Sequence, residues 1–133
     1  EPEWVGGLVQ KFGAEKIVVG IDAKDGMVAT KGWVETSTTN AITLAKELES
    51  LGVRWIIHTD VATDGAMKGP NLEAQKLMAE AVPQCQVIAS GGVTRESDVT
   101  DLENLATQFP NIEGVIVGKA LYEGTVSLQN LCG

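Results

Sequence analysis

The chain has 133 residues, 44% of them hydrophobic and 21% charged, which is enough apolar material for one packed domain and excludes a disordered polymer. Its net charge of −8, from 10 basic and 18 acidic residues, opposes non-specific nucleic-acid binding, and no basic cluster offsets it. No apolar run approaches the ~20 residues of a membrane span, no signal peptide is visible, and Cys85 and Cys132 show neither metal-ligand spacing nor a disulfide framework. Reduced thiols in a cytoplasmic protein, with no metal and no cofactor, are the expectation.

Val5, Leu8, Val9 and Phe12 recur at i, i+3, i+4 and i+7 and predict a short helix that Gly13 ends. Lys16–Asp22 predicts a buried strand ending on a carboxylate. Ala23–Thr38 reads as loop, with a short hairpin around Val28-Ala29-Thr30. Ala41, Leu44, Ala45, Leu48 and Leu51 share a helical face, with Asn40 as cap and Gly52 as stop. Arg54–Asp60 is the next strand. Asp64-Gly65 and Gly69-Pro70 mark a turn-rich loop. Asn71 is placed to cap a helix with Ala74, Leu77, Met78 and Ala81 on its apolar face. Gln86–Val93 opens as a strand and breaks at Ser90-Gly91-Gly92. Thr94 is placed to cap a helix carrying Val99, Leu102, Leu105, Ala106 and Phe109. Val115–Gly118 is the last strand, and Thr125–Leu131 a short final helix. Trp4 and Trp55 read as packing residues.

Strands that alternate with helices predict a parallel sheet with right-handed crossovers. The equivalent positions Val19, Ile57, Ile88 and Ile116 are about 38, 31 and 28 residues apart, near the repeat of a barrel of this kind. Two architectures fit: an open doubly wound sheet, or part of a (β/α)8 barrel, which takes about 250 residues in full. In both, function sits at the C-terminal ends of the strands. Those ends are Asp22, Thr59-Asp60, Ser90-Gly91-Gly92 and Gly118-Lys119.

Two of these ends have one shape. A strand, a glycine-bearing turn and a helix follow each other at Val87–Val93 and again at Val115–Ala120. Backbone N–H groups so presented suit an anion, and Ser90, Gly91, Gly92, Gly118, Lys119 and Ala120 are the phosphate candidates. Ordinary strand ends that need glycine for chain reversal have the same appearance. With the chain as a whole acidic, any anionic substrate has to be held by such local donors.

Six stretches carry a resemblance: Val18–Gly26, Lys31-Gly32-Trp33, His58-Thr59-Asp60, Asp64–Asn71, Ala89–Val93 and Val117–Gly124. In this order they resemble the C-terminal half of the histidine-biosynthesis isomerases that act on phosphoribosylformimino-AICAR phosphate (ProFAR isomerases). The sister family, the cyclase subunit of imidazole glycerol phosphate synthase, shares the Asp-Ala-Lys, Asp-Gly and Ser-Gly-Gly pieces but usually lacks Lys-Gly-Trp and Gly-Pro-Asn. The resemblance implies an α/β fold: residues 1–133 as a single (β/α)4 half-barrel, strands five to eight preceded by helix four. It implies an Amadori aldose–ketose isomerisation in amino-acid biosynthesis, with Asp22 as the acid. The family's other catalytic aspartate belongs to a first half that this sequence does not contain. Thr59 matches the threonine used beside the aspartates, Trp33 a loop residue that stacks on the substrate's aromatic part, and Asp64 a position near the substrate. Ala66 stands where the family commonly has threonine.

From the residues alone, Asp22 also fits a loop cap, Thr59 an ordinary β-branched strand residue, Asp64 an ordinary turn residue and Trp33 an aromatic packed on the barrel rim. His58, the only histidine, falls on the opposite strand face from Thr59 and reads as packed. The expected partners are a phosphorylated small molecule and either a second copy of the chain or a complementing N-terminal half-barrel. Neither nucleic acid nor membrane is expected. The abrupt start at Glu1-Pro2 fits a truncated enzyme that is inactive alone. The alternatives are a cyclase-like half-barrel and a non-catalytic half-barrel that self-assembles and binds phosphate.

Overall fold

The computed structural model describes residues 2–30, 35–61 and 69–118. Its elements are α1 (Pro2–Phe12), β1 (Val19–Lys24), β2 (Met27–Thr30), β3 (Glu35–Asn40), α2 (Ala41–Ser50), β4 (Trp55–Asp60), α3 (Leu72–Ala81), β5 (Gln86–Ser90), α4 (Glu96–Gln108) and β6 (Ile112–Ile116). They form a sheet in the order β3-β2-β1-β4-β5-β6. β1, β4, β5 and β6 are parallel, as the alternation of strands and helices requires, and β2 and β3 extend the sheet in antiparallel fashion.

That extension is the main departure from the sequence expectation, which left Ala23–Thr38 as loop with a small hairpin. Asp25 and Gly26 both have positive φ, 53° and 83°, and turn β1 back onto β2. An Asp-Gly pair with both residues left-handed matches the twist of a tight hairpin. β1 therefore starts at Val19 and runs through Asp22 to Lys24 instead of stopping on Asp22. The last strand is displaced the other way. It begins at Ile112, ahead of the expected Val115, because Gly114 looks like punctuation yet pairs with Ile88 beside a register shift.

Side chains alternate across each strand. One face carries Ile21, Ala23, Ile56 and Val87, packed with Ala45 and Leu48 of α2, Met78 of α3, and Val53, Val82 and Cys85. A second cluster joins Ala89, Val93 and Leu102 of α4. Each large side chain buried here contributes roughly 1.5–3 kcal/mol, so this helix-covered face carries the stability. The opposite face has Ile57 opposite Ile88 and, one row on, Ile116 beside Ser90. Neither buried cluster includes these isoleucines, and Ile116 is 43% exposed. Among the described residues no helix covers that face.

Helix ends follow local chemistry. Asn40 Oδ1 accepts from the Ile42 and Thr43 N–H groups at 2.9 and 3.1 Å, and Asn71 Oδ1 accepts from Ala74 at 3.1 Å, both as expected of N-caps. α3 is rotated from the expected face: Gln75, Met78 and Ala79 are buried, while Leu77 is 47% exposed. Trp4 and Phe12, read as packing positions, are 69% and 50% exposed, because α1 presses Val5 and Val9 against the core instead. Trp55 is half-buried. The final helix expected over Thr125–Leu131 lies outside the described residues.

Candidate functional site

The register sets three polar residues in one row. Asp22 is opposite Thr59 on β4, and Thr59 is opposite Ser90 on β5. Adjacent strands lie about 4.8 Å apart, so the three side chains span about 10 Å on the open face, near the C-terminal ends of the parallel strands. Thr59 and Ser90 are each 8% exposed, and Asp22 is half-buried. Because β1 continues to Lys24, Asp22 is held inside a paired ladder and not at a free strand end. The row offers one carboxylate and two hydroxyls, the groups that proton transfer to and from a sugar requires.

The glycine turn follows this row directly. Gly91 and Gly92 have φ of 101° and 86°, a region that favours glycine. A Cβ at Gly91 would lie 2.6 Å from the Asp60 carbonyl oxygen, so close packing against β4 already demands glycine there. Thr94, expected to cap α4, does not: the N-cap is Arg95. The Thr94 hydroxyl is occupied instead, donating to the Gly92 carbonyl and accepting from the Gly69 N–H, both at 3.0 Å. The Asp98 carboxylate takes the place of a cap and accepts from the Thr94 and Arg95 N–H groups at 2.8 and 3.0 Å. The helix end nearest the turn thus already holds an anion of its own. Gly118 lies two residues past Ile116, the neighbour of Ser90, which sets the two glycine-bearing ends side by side. Trp33, Asp64, Lys119 and Ala120 lie outside the described residues.

Behind the row, His58 points to the helix side and is packed, as the strand alternation predicts. It is 3% exposed, and its Nδ1 lies 3.0 Å from Gln75 Oε1. Burial pushes its pKa below the usual value, against the pull of the Gln75 hydrogen bond and the Asp60 and Asp22 carboxylates. Gln75, 1% exposed, also donates from Nε2 to the carbonyls of His58 and Ser90 at 3.1 and 3.4 Å. It ties β4 to β5 just behind Thr59 and Ser90. The sequence reading missed it, although Gln75, Met78, Ala79 and Val82 follow the i, i+3, i+4, i+7 spacing of a buried face. Cys85 is a buried free thiol, pushed up to about 11 by burial and by Glu49. Among the described residues no three His, Cys, Asp or Glu are placed to hold a metal ion, and no helix is long and apolar enough to cross a membrane.

A family model described as histidine biosynthesis protein matches residues 1–127. The chain belongs to this family. The family's fold is a (β/α)8 barrel, and the four parallel strands with their helices are about half of one. Members similar to the chain are the 1-(5-phosphoribosyl)-5-((5-phosphoribosylamino)methylideneamino) imidazole-4-carboxamide isomerases of Opitutus terrae, 55% identical, and of Streptococcus thermophilus, 47% identical. The isomerase of Geotalea daltonii is 51% identical. The matches cover 96%, 98% and 96% of the chain but 52%, 53% and 51% of these relatives. The chain spans about half the length of the curated relatives it matches.

Proposed function

We propose that residues 1–133 are one (β/α)4 half-barrel that, completed by a second half, isomerises the phosphoribosylated imidazole carboxamide named in its relatives. The observation that supports this most is the row Asp22–Thr59–Ser90 on the uncovered face of the sheet. In this reading Asp22 donates a proton to the ring oxygen of the aminoaldose, and the ring C–O bond breaks to leave an imine. A base from the other half removes the C2 proton, and the resulting enolamine tautomerises to the aminoketose. Thr59 holds a ribose hydroxyl or orients Asp22. The Gly91 and Gly92 amides, with Ser90, Gly118, Lys119 and Ala120, grip a substrate phosphate. Trp33 closes over the imidazole, and Asp64 lies near it.

The apolar face that no described helix covers and the partly open edge of β1 support a partner half, either a complementing N-terminal half-barrel or a second copy of the chain. A cytoplasmic enzyme without cofactor fits this chemistry. The test mixes the chain with the N-terminal half of the Opitutus terrae relative and follows isomerisation of the substrate. Turnover is expected in the mixture and not from the chain alone. Asp22→Asn is expected to lower kcat about 10²–10⁴-fold with KM little changed. Full activity of Asp22→Asn rejects the acid assignment, and strong activity of the chain alone rejects the need for a second half.

A further inference from the structure

A cavity of about 220 Å3 lies between α2 and α3 on the helix-covered side of the sheet. Ala41, Ile42, Ala74 and Leu77 supply apolar wall, and His58 and Asp60 supply polar groups. Thr59 stands between His58 and Asp60 on β4 and points to the other face. The cavity and the Asp22–Thr59–Ser90 row are thus separated by the thickness of the sheet.

Gln75 sets the chemistry of this cavity. Its Nε2 donates to two carbonyl oxygens, those of His58 and Ser90. Carbonyls only accept, so the orientation of the amide is fixed. Its Oε1 must then accept from His58 Nδ1, 3.0 Å away. A neutral His58 therefore carries its proton on Nδ1 and leaves Nε2 as a bare acceptor. No described residue donates to Nε2, and the ring is almost fully buried. Burial also favours the neutral ring, so the acceptor persists near neutral pH.

The size and charge of the cavity narrow the ligand. An apolar cavity of about 150 Å3 already holds benzene, so this one holds a ring with a short substituent. Glu73 lines it as well, and no lysine or arginine does among the described residues. We propose that the cavity binds a compact organic amine, its apolar body between α2 and α3 and its N–H donated to His58 Nε2.

Benzylamine is a suitable probe, titrated into 15N-labelled chain beside benzyl alcohol, toluene and benzoate. Saturable shifts are expected at the His58 ring nitrogens and at the Ile42 and Ala74 amides, with a Kd of about 1 mM for benzylamine. Benzyl alcohol should bind roughly three- to tenfold more weakly, toluene at least about tenfold more weakly, and benzoate not at all. Ala74→Met fills the space and should weaken benzylamine at least about tenfold. Leu77→Ala, at an exposed side chain that loads no core, should weaken it about threefold. Toluene or benzoate binding as well as benzylamine overturns the proposal. So does no saturable shift at His58, or unchanged benzylamine affinity in Leu77→Ala and in folded Ala74→Met.

Discussion

Gly91 packs directly on the backbone of Asp60: a Cβ at Gly91 would stand 2.6 Å from the Asp60 carbonyl oxygen and 3.3 Å from its nitrogen. Both obstacles are main chain, fixed in β4, so neither can swing aside. The strain of a left-handed φ of 101° adds to the clash. Gly91→Ala is expected to cost about 2–4 kcal/mol, read as a lowered midpoint in urea denaturation. A substitution that leaves the midpoint unmoved would mean the turn is not packed as described.

Asp98 is expected to act on stability and on phosphate binding at the proposed site in opposite senses. Its carboxylate holds the Thr94 and Arg95 N–H groups, so Asp98→Ala should cost about 1–2 kcal/mol. The same change removes a negative charge near the Gly91-Gly92 turn and frees two donors. Inorganic phosphate should then bind more tightly than to the parent chain, by an amount that shrinks with added salt. Calorimetric titration of both proteins compares them directly.

Acidification should destabilise the fold through His58. Burial lowers its pKa in the native state from the ordinary 6.5, so below that pH the unfolded chain takes up a proton that the native chain does not. Stability is present above pH 6.5 and declines as pH falls below it. His58→Gln should flatten this part of the stability–pH curve.

Cys85 acts at the other end of the scale. Burial, with Glu49, pushes its thiol from the ordinary 9.0 up to about 11 in the fold. Between those values the unfolded chain loses the proton first, so stability falls as pH rises from 9 to 11. At pH 8 in native buffer, Cys85 should resist a thiol reagent and react at once in urea.

Thr59 separates the catalytic from the structural reading of the row. Thr59→Val keeps the branched shape and removes the hydroxyl. In the complemented enzyme kcat/KM is expected to fall about tenfold while the melting temperature hardly moves. Equal activity would leave Thr59 as a strand residue only.

Much of this architecture was legible in the sequence because it rests on period and punctuation. The Ala41–Ala45–Leu48 stripe, the Asn40 and Asn71 caps and the apolar runs of β4 and β5 each rest on a local rule. Asp22, Thr59 and Ser90 were picked out as strand-end residues, but their alignment in one row depends on inter-strand register, which no single stretch contains. A short hairpin around Val28-Ala29-Thr30 is legible, but β3 is not, because Thr36–Asn40 is polar and lacks an alternating apolar face. Gln75 was missed because a glutamine reads as surface, and its burial is explained by partners on two strands distant in sequence, the His58 ring and the His58 and Ser90 carbonyls. Thr94 failed as a cap for a similar reason, since Gly69 competes for its hydroxyl across the loop.

The hairpin also governs what can be added to the sheet. β2 pairs with β1 only at Ala23 and Lys24, leaving Val19–Asp22 unmatched by β2 along that edge. A strand docking there runs into the hairpin at Ala23 and can travel no farther. The turn at Asp25-Gly26 thereby works as a doorstop. In the proposed complex it would limit the length of the incoming strand and fix its sliding position, with its last paired residue beside Asp22.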